Sequence, residues 1–307
     1  MSPAAFAGVT SLQEQRLGLT PELTTNGSYP KAWWRIGGEL YLFKAGSYLF
    51  FNGANEDCGP CSEYFAAQAA EAAGLEHVNC DLKVWKGHMA SVCHLFNSKD
   101  YAYIPFCEAT GYGKLLETLA IAAMYSESLL AGLLKILAFD AIIANDDRHA
   151  GNYGFLRDSH TGEYVGLASI FDNNRALFPT AMPADCSSFG EKAAGMYPAG
   201  SDSTFSYLLK TRFTTDDSHR IAKRLLTFRF KQYPKYRFDQ ERLDALSEMV
   251  QARAAFALDC PARDIEEIAG WLKQSEAAKA IDSEKVPLFV QKSIGTHTSD
   301  AKHKLQP

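Results

Sequence analysis

Asp147 and Asn152 stand five residues apart in Ala144-Asn-Asp-Asp-Arg-His-Ala-Gly-Asn-Tyr-Gly154, and Asp172 follows in Ser169-Ile-Phe-Asp-Asn-Asn174. A D-x-x-x-x-N spacing lets a carboxylate face an acceptor hydroxyl while an amide oxygen holds a metal ion, and a second carboxylate completes the metal's protein ligands. The chemistry that needs this trio is phosphoryl transfer, in which a protein contributes mostly positioning and charge neutralisation. Asp146 competes for the base role, but it lies six residues from Asn152, so the spacing favours Asp147. A polar turn with Asx hydrogen bonds and an N-cap would have a similar composition. The second aspartate and the apolar flanks tip the balance toward chemistry.

Those flanks must position the trio. Glu127 to Ile143 predicts a helix whose apolar run from Leu129 onward is interrupted only by Lys135 and Asp140, so that it is expected to be buried almost all round. Leu115 to Met124 predicts a second helix before it. Asn152-Tyr-Gly-Phe-Leu156 returns to strand-like composition, and Tyr164–Ala168 with Ser169–Phe171 is expected to form the hairpin that presents Asp172. A polar loop held between a buried helix and a strand is a usual place for a catalytic group.

Asn145-Asp-Asp-Arg-His-Ala-Gly-Asn152 and Phe171-Asp-Asn173 resemble the catalytic and metal-binding motifs of the HipA-like bacterial serine/threonine kinases. The Asp-Arg-His order is also similar to that of phosphoinositide-type kinases, in which the usual His-Arg-Asp is inverted. The resemblance covers residues 24–285. It implies an α+β, bilobal protein-kinase-like fold, with a small β-sheet-plus-helix N-lobe and a larger, mainly helical C-lobe. It further implies ATP and Mg²⁺ as cofactors, a protein substrate with a Ser or Thr acceptor, and a cognate inhibitor or antitoxin as a partner. In the resembling families the residues at Arg148 and His149 brace the loop and help neutralise phosphate. Asn173 and Asn174 replace the glycine of Asp-Phe-Gly kinases, so a swinging switch at this point is not expected. With the phosphate loop beginning as early as Asn26, the likeness is to compact family members rather than to toxins with an additional amino-terminal subdomain.

Such a kinase needs a phosphate-covering loop and a paired lysine. Thr24 to Lys31 is turn-rich, Gly37-Gly38 is a hairpin signal, and Glu39 to Lys44 reads as a strand. Asn26, Gly27 and Ser28 would let backbone N–H groups approach the phosphates, with Lys31 adding charge and Lys44 meeting the α- and β-phosphates. Autophosphorylation at Ser28 would eject the nucleotide. Ser62 to Leu75 is an alanine-rich helix that Gly74 is placed to end. It carries Glu63 and Glu71, and the resemblance selects Glu63 to hold Lys44. Asp81–Lys86, Met89–Phe96 and Tyr101–Phe106 are expected to complete the amino-terminal sheet. Phe106 to Thr110, including Glu108, would be the hinge whose backbone reads adenine.

Cys58-Gly-Pro-Cys61 offers a rival. It is the thioredoxin-type tetrapeptide at a helix start, where the dipole lowers a thiol pKa, and Tyr48–Phe51 and Ile104-Pro105 could supply the strand and cis-proline of a thiol oxidoreductase. That fold would leave most of the chain without a purpose. A catalytically weak, ATP-binding scaffold is the other alternative.

The composition sets outer bounds. At 307 residues the chain can build two lobes, and 47% hydrophobic with 22% charged residues is ordinary for a globular protein. A net charge of −5 argues against wholesale nucleic-acid binding. No uncharged apolar run reaches membrane-spanning length, and the start does not read as a signal peptide. Seven cysteines spread through the chain do not form a disulfide framework, which points to a reducing cytoplasm. Residues 210–237 carry nine Lys or Arg against two Asp, with aromatic residues interleaved, and read as an amphipathic helix. Asp239–Leu258 and Arg263–Ile281 predict two more helices. The expected organisation is an arm over 1–23, an N-lobe over 24–107, a C-lobe over 108–285 and a flexible tail over 286–307.

Overall fold

Four short strands of alternating pattern make an antiparallel sheet in the order β1-β2-β4-β3: β1 is Lys31–Ile36, β2 Glu39–Ala45, β3 Cys80–Trp85 and β4 His88–His94. The structure is a computed structural model that describes residues 31–36, 39–46, 59–85, 88–94, 100–284 and 286. Asn26, Gly27, Ser28, the Gly37-Gly38 turn, Tyr48–Phe51, Cys58, the 1–23 arm and nearly all of the 286–307 tail lie outside the described residues. The period of two along β2 turns Phe43 and Ala45 into a small apolar cluster with Ala32, Ala90 and Val92. Helix α1 (Gly59–Ala73) packs on the other face, and Gly74, at φ 71, ends it.

Two of the three strands expected to complete this sheet, β3 and β4, join it, and the third does not. β5 (Tyr101–Pro105) instead pairs with β6 (Gly154–Asp158), which pairs with β7 (Tyr164–Leu167), giving a second antiparallel sheet. Gly154 decides the pairing, because a Cβ there would overlap the Ile104 carbonyl oxygen. The hairpin leading to Asp172 is therefore β6–β7. Ile170, expected in that hairpin, makes a parallel bridge to His77. Phe106–Thr110, the segment expected to be the hinge, is a short helix, α2, closed by Gly111 at φ 78. Its Phe106 and Cys107 N–H groups donate to Tyr153 and Ala150 carbonyls at 3.0 Å each, so they are already committed.

Helices α3 (Leu115–Tyr125) and α4 (Glu127–Ile143) match the expected boundaries. Ser126 separates them and caps α4 by accepting the Leu129 N–H at 3.2 Å. From Leu129 onward α4 is buried on nearly every side and forms the centre of the core. A 3₁₀ turn at Pro183–Ser188 leads to α5 (Phe189–Ala194), α6 (Phe205–Leu208), a π turn (Leu209–Phe213), α7 (Asp216–Leu225) and α8 (Gln240–Asp259). The final helix expected over Arg263–Ile281 is two, α9 (Ile265–Gln274) and α10 (Glu276–Lys279). Ser275 breaks it by capping the Ala278 N–H at 3.2 Å.

Only part of the basic 210–237 stretch is helical. Beyond α7 the chain crosses onto α1 and β3. There Lys231 and Gln68 exchange hydrogen bonds of 3.0 and 3.1 Å, and the Tyr233 hydroxyl shares its one proton between Asp81 Oδ1 at 2.6 Å and Leu82 O at 2.8 Å. Phe65 of α1 meets Phe230 and Phe238 edge-on. Phe230 and Tyr233 of this stretch thus face inward and tie the small sheet-and-helix unit to the large helical one. Cys80 and Cys93 are register partners on β3 and β4, their Cα atoms 4.4 Å apart, and they form a disulfide that the composition did not suggest. Direct opposition across a non-hydrogen-bonded pair brings two such side chains together without backbone movement.

Candidate active site

Because Phe43 and Ala45 take one face of β2, Lys44 takes the face that α1 covers. Its Nζ stands 3.2 Å from Glu63 Oε1 and also pairs with Asp172 Oδ1. The other Glu63 oxygen accepts the Asn173 N–H at 2.8 Å. Residues separated by 19 and 128 positions in the chain therefore converge on one buried ammonium. Glu71, the competing carboxylate on α1, is exposed. Lys31 lies across from Lys44 in the β1–β2 register.

The charges shape one another. Burial works against the Lys44 ammonium, yet Glu63 and Asp172 overcome it and hold its pKa above the ordinary lysine value. Burial pushes Glu63 up, and Lys44 only partly offsets this. Burial would raise Asp172 too, but Lys44, by charge and by hydrogen bond, keeps that carboxyl below the usual range. Burial and the neighbouring Lys44 charge lower Lys31.

Helix α4 stops at Ala144, in the left-handed region at φ 54, and releases a tightly bonded loop. Asn145, fully buried, donates to Asp140 Oδ1 at 3.1 Å and accepts the Asp147 N–H at 3.3 Å. The Asp147 carbonyl accepts the His149 N–H at 2.8 Å and the Asn152 side-chain amide at 3.0 Å. With its nitrogen spent this way, Asn152 keeps Oδ1 as its acceptor. Asp147 itself is half-buried; burial raises its pKa, with His149 opposing and Asp172 adding to the rise. Asp146, the alternative, has its Oδ1 3.6 Å from Arg175 Nε.

Arg148 is turned inward. It is buried, its Nε and Nη2 grip Asp140 at 3.0 and 3.1 Å, and its Nη atoms also donate to the Phe171 carbonyl, Asn173 Oδ1 and, at 3.3 Å, the Asn152 carbonyl. His149 is exposed, and its Nδ1 accepts the Gly151 N–H at 3.0 Å. Glu108 is exposed on α2 and takes no part in these bonds. Tyr103 and Asp140 joined the site unannounced. The Tyr103 hydroxyl donates to Gly151 O at 2.9 Å while its ring meets Phe171 edge-on. The signal for Asp140 was the one acid within the apolar run from Leu129 to Ile143.

The donors suit a hard cation. Asp172 is held ionised and Asn152 offers an amide oxygen, both oxygen ligands of the kind Mg²⁺ takes. Among the described residues no cluster of three or more His, Cys, Asp or Glu could hold a metal alone. Mg²⁺ commonly relies on one or two protein ligands together with phosphate and water. The thiol alternative finds less: Cys61 is buried in α1, and no described peptide bond is cis, so Pro105 is not the cis-proline that reading required. No helix among the described residues is long and apolar enough to cross a membrane.

In fold the protein is α+β and kinase-like, with a small sheet-and-helix lobe over a larger helical one. The crystal structure of the Helicobacter pylori proinflammatory kinase CtkA superposes with a TM-score of 0.60 at 20% identity, covering 83% of this chain and 96% of that one. By sequence, the chain belongs to the HipA-like C-terminal domain family, which matches residues 23–199. The serine/threonine-protein kinase CtkA of Helicobacter pylori is 30% identical over 142 residues, 42% of this chain and 43% of that protein. The match thus spans less than half the length of this curated relative. HipA of Shewanella oneidensis, solved with HipB and operator DNA, gives a TM-score of 0.46 at 13% identity over 83% of this chain and 67% of that one.

Proposed function

We propose that this protein is a serine/threonine protein kinase that transfers the γ-phosphoryl group of ATP, with Mg²⁺, to a hydroxyl of a protein substrate. The observation that carries this reading is the convergence of Lys44, Glu63 and Asp172 on one buried ion cluster beside the loop bearing Asp147 and Asn152.

Asp147 orients the acceptor hydroxyl and takes its proton as the oxygen–phosphorus bond forms and the bond to the departing ADP breaks. A pKa raised by burial makes it a better base than a solvated aspartate. Asp172 and Asn152 Oδ1 would hold Mg²⁺, which when bound offsets phosphate charge. Lys44, steered by Glu63, would meet the α- and β-phosphates, and the loop of Asn26, Gly27 and Ser28, with Lys31 at the start of β1, would cover them. Arg148 is assigned to bracing the loop, because its donors are taken up by protein acceptors.

The test is intact mass after incubation with Mg²⁺ and ATP, with and without candidate protein substrates. Mass added in 80-dalton steps to substrate or to the chain itself, and lost in Asp147→Ala and Asp172→Ala, is the expected result. ATP-induced stabilisation with no phosphate on any protein would replace the kinase reading with that of a nucleotide-binding scaffold.

A further inference from the structure

Asp140 belongs to none of the motifs above, yet it is 1% exposed and both its oxygens are engaged. We infer that Asp140 is a positioning residue, acting through Arg148 to fix the backbone at Phe171–Asn173 and so to aim Asp172. Its catalytic meaning rests on the kinase reading; its structural part does not.

Two parallel bonds between a guanidinium and a carboxylate fix both groups in one plane. The 3.0 and 3.1 Å bonds from Arg148 Nε and Nη2 to Asp140 therefore leave the rest of the guanidinium a single orientation. Directed that way, it reaches the Phe171 carbonyl and Asn173 Oδ1, with the Asp172 carbonyl 3.5 Å away. Asp172 between them has φ 54, a left-handed conformation that aspartate tolerates better than most residues with a Cβ and that these bonds help to hold. Arg148 holds this backbone from one side, and Glu63, through the Asn173 N–H, holds it from the other. A buried ion pair seldom stabilises a fold beyond what apolar side chains would. What this one supplies is geometry.

The experiment compares wild type, Asp140→Asn, Arg148→Lys and the double variant, with Arg253→Gln as a control. Arg253 also grips α4, through the Ala141 carbonyl at 3.1 Å, but from α8. Hydrogen exchange in the absence of nucleotide should show the amides of residues 171–174 exchanging at least ~10-fold faster in both single variants, as expected of groups that orient a metal ligand. The Mg²⁺ concentration for half-maximal ATP turnover should rise about 10- to 100-fold, with the double variant no worse than the worse single. Unchanged exchange at 171–174, or an equal Mg²⁺ shift in Arg253→Gln, would overturn the assignment. If Asp140→Asn does not fold, Arg148→Lys, which keeps the charge and loses the planar grip, carries the same test. Wild type that neither binds nor turns over Mg-ATP would sink the kinase reading, while the exchange result still decides the role of Asp140.

Discussion

Glu63 Oε2 accepts the backbone N–H of Asn173 at 2.8 Å. A helix covering the small sheet is thereby joined to the segment after the Ile170 bridge that bears Asp172, and the same carboxylate holds Lys44 with its other oxygen. Glutamine at position 63 could accept only one of these bonds and would turn a donor toward the other donor. Glu63→Gln is expected to lower stability by about 1–3 kcal/mol, the cost of leaving a buried donor unsatisfied. Urea unfolding measures it, and a midpoint equal to wild type would show that the bridge contributes nothing.

The depressed Asp172 carboxyl links stability to pH. A folded-state pKa below the unfolded one means a contribution present above the unfolded pKa and lost as pH falls through the folded value. Asp172→Asn removes that contribution. The stability gap between wild type and Asp172→Asn should widen from acidic to neutral pH, and a gap constant across that range would contradict the pairing with Lys44.

For Asp147 the sign is reversed and the readout is kinetic. Its pKa lies above the usual aspartate range because of burial, and a base must be ionised to accept a proton. The acid limb of kcat/KM should therefore sit at higher pH than a solvated aspartate would place it. Asp147→Asn should lower kcat about 10²- to 10⁴-fold and abolish that limb. Retention of the limb in the variant would assign it to another group.

Gly154→Ala tests the second sheet. A methyl group there overlaps the Ile104 carbonyl oxygen and crowds Pro105, so β5 and β6 must separate. A loss of about 1–3 kcal/mol is expected, as for overpacking elsewhere. An alanine variant as stable as wild type would mean that the strands can shift apart freely.

The helices and the polar loop were legible because their signals are local. An apolar stripe on all sides specified α4, and the five-residue spacing of Asp147 and Asn152 needs only one turn of chain to bring the pair together. The edge that β5 meets was not legible. Composition marks Tyr101–Pro105 as a strand, but its neighbour is chosen by a close approach at Gly154, fifty residues on. Glu63 and Glu71 share a helix, and only burial separates them. Arg148 was expected both to brace the loop and to help neutralise phosphate; its place beside Asp147 gives no hint that Asp140, eight residues earlier on a buried helix, turns it inward.

Asp172 answers two demands at one position. Its backbone sits in the left-handed region, which Asn and Asp tolerate better than other residues with a Cβ, and its side chain must carry negative charge toward Lys44. Glycine would relax the chain but delete the carboxylate, asparagine would keep the conformation without the charge, and glutamate would keep the charge on a side chain less suited to the turn. Of the twenty residues, aspartate alone meets both conditions, so mutational drift at this site has nowhere neutral to go.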